Sequence, residues 1–371
     1  MTTWSHAGSS RALDQLTAEG VGLWLDDYHR GRLVDGSLER MVAAGLVRGV
    51  VSRPAAVARA ITSTAVYRKQ LNGFSGAAVS AEERAYALIA EDAREAGSVL
   101  EPVFRATAGM HGWVSLGIAP RPDADARAMV DHSRRLARMV DRPNVLIRIP
   151  AVGRGLTAAG HLLAQQVNVH FTAVFSTHRY AQAADTYFRG LERALTVGRA
   201  PSAVTSLVSL DTGRLTDRVD KLLDRSAVPG AAGLRGRAGA AVARLVYHRY
   251  EESLGTSRWR SLVAGGARPQ RLLWTGSDPR ERPRAALDRV EGLVAWMTLH
   301  ALPQTALEAL ERREPFRGDM LSGARESACR TMDALGRAGV DVDALARDLE
   351  SAAAARERTA WQALLRAAEV R

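Results

Sequence analysis

The sequence predicts an α/β fold, a single (β/α)8 TIM barrel with extra terminal helices, on three observations. Short apolar runs of the length of buried parallel strands recur along the chain. Longer stretches with apolar residues at spacings of three and four separate them, so the order is βα throughout. The runs number eight, which suits closure into a barrel. A length of 371 residues buries a large core without forcing a second domain. The expected division is an N-terminal extension over 1–20 and the barrel over 21–371.

Taken in order, the first strand is expected over 22–25, closing on Asp26 and Asp27. The second covers 49–52 and passes through Arg53 to Pro54; the third covers 114–118. The fourth, 145–149, holds Arg148 between Ile147 and Ile149, and the fifth, 168–172, carries His170 and Thr172. The sixth, 203–209, contains Ser206 and Ser209; the seventh, 271–275, ends at Thr275 with Ser277 just beyond; the eighth is placed over 296–300. Helical segments such as 124–140 and 177–197 alternate apolar and charged faces and would form the outer ring. A further helix near 240–253 runs into YHRYEESLG, whose glycine is a plausible stop. Outward faces around Trp259 and Trp361 read equally as core or as an interface, so a homo-oligomer stays open.

Composition narrows the function classes. A charged fraction of 25% and an apolar fraction of 46% are those of a globular domain. The net charge of +11 raises the question of nucleic acid, but Arg is mixed with Asp and Glu on nearly every helix, as in RAALDRVEG and ARDLESAAAARERTAW. That is a solvated face rather than a basic patch, and no nucleic-acid partner is expected. Only two of the 51 basic residues are lysines, Lys69 and Lys221, and lysine is the side chain that forms Schiff bases. One cysteine, Cys329, excludes an internal disulfide, and no Cys/His cluster has zinc-ligand spacing, so no metal is expected. The N-terminus lacks a continuous apolar stretch, which argues against a signal peptide or membrane span and for a cytoplasmic protein.

Active sites of such barrels lie at the C-terminal ends of the strands. The candidates there are Asp26, Arg53, Arg148, His170, Thr172, Ser206, Ser209, Thr275 and Ser277. His170 and Thr172 are two apart and share one face, either the lumen or the helix layer. A guanidinium within a buried strand is costly unless it meets an anion or a carboxylate, so Arg148 marks either an internal salt bridge or a ligand site. Arg53 reads equally as a surface turn residue, and Asp26 as a helix cap.

The ordered segments LWLDDYHRGRL, GVVSRPAAV, RPNVLIRIPAVGRGL and ARPQRLLWTGSDP resemble the transaldolase family in its longer bacterial form. The corresponding family stretches read approximately WLDDLSR, GVTTNPTIF, RPNLMIKIPAT and RPQRLLWAST. FSTHRYAQAADTYFRGLERAL and RVDKLLD fit as well, so the likeness runs from about Val21 to the C-terminal helix. The resemblance implies a lysine on the fourth strand that forms a Schiff base with a ketose phosphate and passes a dihydroxyacetone unit to an aldose phosphate. That lysine aligns with Arg148. A guanidinium stays protonated and has no lone pair to attack a carbonyl.

The family's third-strand glutamate aligns with Gly117, its second-strand asparagine with Arg53 and its fifth-strand asparagine with His170. Its phosphate-binding arginine falls near Leu210, with Arg214 as a substitute. Asp26, Thr172 and Ser206 match retained positions. The resemblance therefore implies a repurposed enzyme of specialised metabolism, without a cofactor, acting on a small anionic or carbonyl-bearing substrate. Asp26, Arg148, His170 and Thr172 would be catalytic, and Arg53, Ser206, Ser209, Thr275 and Ser277 would bind substrate. A non-catalytic homologue binding a sugar phosphate or a partner protein, and a residual transaldolase, are the alternatives.

Overall fold

Apolar runs hydrogen-bonded side by side bury both faces, and in the computed structural model all eight do so as parallel strands. The structure describes residues 11–75, 78–121, 124–276, 281–310 and 312–369. The strands are β1 Gly22–Tyr28, β2 Gly49–Ser52, β3 Trp113–Gly117, β4 Val145–Pro150, β5 Val169–Val174, β6 Ser206–Asp211, β7 Arg271–Thr275 and β8 Thr298–Leu302. They close in sequence order, β8 pairing back to β1, which makes the chain a (β/α)8 barrel.

Strands two and seven lie where the sequence places them, and several others extend further toward their C-terminal ends. The sixth starts later than expected because Pro201 opens a 3-10 turn, Pro201–Ala203, ahead of it. The eighth is displaced by two residues: Trp296 is exposed and Met297 takes a left-handed φ of 64°, which delays pairing until Thr298.

Trp24, Val51, Trp113, Leu146, Leu207, Leu273, Leu299 and Ala301 fill the lower lumen as a cluster of their own. Gly49 is required there, because a Cβ would run into the Trp24 indole. The surrounding helices start on side-chain caps. Ser80 and Glu83 form a capping box for Ala81–Ala106, Asp125 caps Ala126–Val140, and Ser176 caps Thr177–Thr196. Asp341 caps the C-terminal helix Val342–Ala368. Trp259 and Trp361 are both buried and belong to the core. The helix Arg11–Ala18 buries Ala12 and Leu16, and Gln15 donates to the Phe316 carbonyl at 2.6 Å.

Two strands are irregular at their C-terminal ends. The β1 register shifts between Asp26 and Tyr28, where Asp27 has φ 70°, and the β5 register shifts between Phe171 and Val174, where Ala173 has φ 58°. Such bulges stop the pairing and turn the neighbouring side chains toward the mouth.

Candidate active site

At the C-terminal ends of the strands lies a cavity of about 830 Å³. Asp26, Arg53, Arg148, His170, Thr172, Ser209, Thr275 and Arg214 all line it. The lumen is therefore the face that His170 and Thr172 share. Ser206 lies apart from this group, buried at the start of β6, where it accepts a hydrogen bond from Gln270 Nε2 at 2.8 Å. Ser277 lies outside the described residues.

Parallel pairing sets the central row: Gly117 of β3 is opposite Arg148 of β4, which is opposite His170 of β5. Arg148 spans this row, and its side chain is 9% exposed. Because residue 117 is glycine, the guanidinium can lie close against β3. A Cβ there would stand 3.1 Å from Arg148 Nη2 and 3.4 Å from its Nε. Among the described residues the one ionic contact of Arg148 is loose, 3.4 Å from Nη2 to Glu357 Oε1. Burial lowers its pKa, opposed by Glu357.

Arg53 turns to the other side and grips Asp26 with both forks, Nε on Oδ1 and Nη2 on Oδ2, the latter at 2.6 Å. The Asp26 charge raises the Arg53 pKa further. The two arginines thus share the cavity without converging on one point: Arg53 is occupied by Asp26, while Arg148 is left nearly unpartnered. Asp27, beside this pair, is raised by burial and by the Asp26 charge.

His170 is 2% exposed. Its Nδ1 lies 2.7 Å from Ser115 Oγ, and its buried Nε2 has no partner among the described residues. Burial, then the Arg148 and Arg53 charges, hold its pKa well below the usual value, so the ring is neutral. It offers a hydrogen bond or accepts a proton weakly, and it is not a stored acid. Ser209 Oγ donates to the Phe171 carbonyl at 3.3 Å, and Thr275 Oγ1 to the Leu210 carbonyl at 3.2 Å, so both hydroxyls also tie adjacent strands together. Arg214 Nε pairs with Asp211 Oδ2 at 2.7 Å.

Sequence reasoning missed the roof of the cavity. The C-terminal helix crosses the mouth and lines it with Glu350, Arg356, Glu357 and Arg358. The mixed charges of ARDLESAAAARERTAW suggest a solvated face, whereas part of the run faces the cavity. Glu350 is buried and pairs with Arg179 at 2.6 Å, fixing the helix to Thr177–Thr196. The available signal was the alanine run at 352–355, small enough for a helix to approach other elements closely.

Neither lysine reaches this cavity. Lys69 and Lys221 are both exposed, on the outer helices Arg68–Asn72 and Thr212–Leu223. Among the described residues no group of three or more His, Cys, Asp or Glu side chains gathers into a metal site, and no helix is long and apolar enough to cross a membrane.

Comparison with known proteins adds to this geometry. The family described as Transaldolase/Fructose-6-phosphate aldolase matches residues 23–368. Among similar proteins, a transaldolase of Acidothermus cellulolyticus is 38% identical over 354 residues, 95% of this chain and 94% of its own. Transaldolases of Frankia alni and Thermobifida fusca are 36% and 37% identical, each with 96% of its own length covered.

Proposed function

The chain belongs to the transaldolase family, and on that premise we propose that it is a transaldolase-like enzyme working without a Schiff base. Its substrate would be a small anionic, carbonyl-bearing molecule of the sugar phosphate class. The observation that carries this reading is Arg148: a buried guanidinium in the central row of the mouth, held by one contact of 3.4 Å, in a cavity that no lysine of the chain lines. The resemblance aligns the family's Schiff-base lysine with this position. Arginine cannot take up that chemistry, but its forked donors suit a carboxylate, a phosphate or an enolate oxygen.

Arg148 binds the developing oxyanion, with neutral His170 beside it on β5. Thr172, Ser209 and Thr275 line the pocket, with Ser277 after them in sequence. Arg214, which lines the cavity beside Asp211, suits a phosphate end. Asp26 serves by orienting Arg53, since both its oxygens are engaged. Ser206 has a structural role at the base of β6. Isomerisation, cyclisation, condensation and carbon–carbon lyase chemistry all need only acid/base groups and an oxyanion site, hence no cofactor. The barrel over 21–371 would be the working unit, in the cytoplasm and in specialised metabolism, with no nucleic-acid partner. One observation favours a binding-only role instead: the Arg53–Asp26 pair takes a cation and a carboxylate out of play together.

Isothermal titration with fructose 6-phosphate and with inorganic phosphate tests the anion site. Losing charge-assisted hydrogen bonds of about 1.5–3 kcal/mol should weaken binding about 10- to 100-fold in Arg148→Ala. Equal affinity in the variant and the parent would refute the assignment.

A further inference from the structure

We propose that Glu357, presented by the C-terminal helix, is the proton-transferring carboxylate of this site. The inference rests on the reading of Arg148 as an oxyanion holder, and it adds the group that would make and break the bond to hydrogen.

The carboxylates at the mouth are not equivalent. Asp26 is locked by Arg53 through both oxygens, Asp211 is tied to Arg214 and to the Arg214 backbone amide, and Glu350 is buried against Arg179. Asp27 and Asp217 line the cavity, but neither stands within ion-pair distance of Arg148. Glu357 alone does, through one contact, and its side chain is 41% exposed. At that exposure water reaches the carboxylate. Its Oε1 also lies 3.4 Å from where a Cβ of residue 117 would stand, so glycine there leaves the carboxylate an open approach to the central row.

A carbonyl oxygen on the Arg148 donors would place the adjoining carbon beside Glu357. The C–H bond next to the carbonyl breaks and its proton passes to a Glu357 oxygen. The electron pair moves into the carbonyl as an enolate, whose oxygen takes the Arg148 N–H groups. Return of a proton to carbon reverses the step, with no oxidant or reductant involved. The site is then complete only with the C-terminal helix in place.

The test uses the full-length protein in D2O with fructose 6-phosphate, following deuterium at the carbons beside the carbonyl by NMR, alongside titration of the same ligand. Glu357→Gln keeps the shape of the side chain. It should lower the exchange rate about 10²- to 10⁴-fold while binding is retained. Equal exchange in parent and variant overturns the role of Glu357 and leaves the Arg148 site standing. Parallel loss of binding and exchange makes Glu357 structural and also overturns it. A parent that binds without exchanging refutes proton transfer by Glu357 alone, whereas a parent that neither binds nor exchanges refutes the anion site along with it.

Discussion

At the scale of single residues, three histidines set how the protein responds to acid. Burial holds His111 and His300 down to about 3, and His170 well below the usual value. A histidine neutral in the fold takes up a proton on unfolding once the pH is below about 6.5. Stability is therefore complete above that pH and is lost as the pH falls toward the folded values. His300 is 2% exposed, and its shift alone amounts to about 4 kcal/mol by pH 3. Asp92 opposes this. Burial raises it to about 6, so its contribution is full below the ordinary carboxylate value and lost as the pH rises through 6. Asp27 is raised as well, but the large shifts are those of the buried histidines, so urea unfolding should give a lower free energy at pH 4.5 than at pH 7.5. A flat or rising profile would show that these rings are not held neutral. Residue types were legible in the sequence here, whereas their partners were not. Nothing local in VLIRIP says that Arg148 meets Glu357, 209 positions away.

At the scale of elements, the strands were the legible part, since runs such as 49–52 and 271–275 carry their own limits in composition. Their ends were less so. The bulges at Asp27 and Ala173 depend on non-glycine residues in left-handed backbone, which tertiary packing enforces and no local propensity announces. The least legible element was the C-terminal helix, because its mixed charges suit solvent and a polar cavity alike. Its seat is nonetheless specific. Trp361 is 2% exposed, and its ring lies 5.3 Å from that of Tyr86. Trp361→Ala should cost about 3–5 kcal/mol. Hydrogen exchange should speed up across Val342–Ala368 ahead of the barrel strands; uniform loss of protection would mean that the helix does not open separately.

At the scale of the whole molecule, the barrel and the family were legible because both are spread over the chain: eight apolar runs, and segments in one order from end to end. The chemistry was harder to read, because it depends on a few side chains whose reach is set by strand register and by a helix more than 200 residues distant. Of the residues expected at the mouth and described by the structure, only Ser206 lies elsewhere, and its position at the opposite end of β6 follows from where that strand begins. We propose that this barrel operates with the guanidinium of Arg148 where amine chemistry would be expected. Borohydride reduction in the presence of fructose 6-phosphate, read by intact and peptide mass, tests it most directly. An unmodified mass is expected, whereas an adduct at Lys69 or Lys221 would restore Schiff-base chemistry.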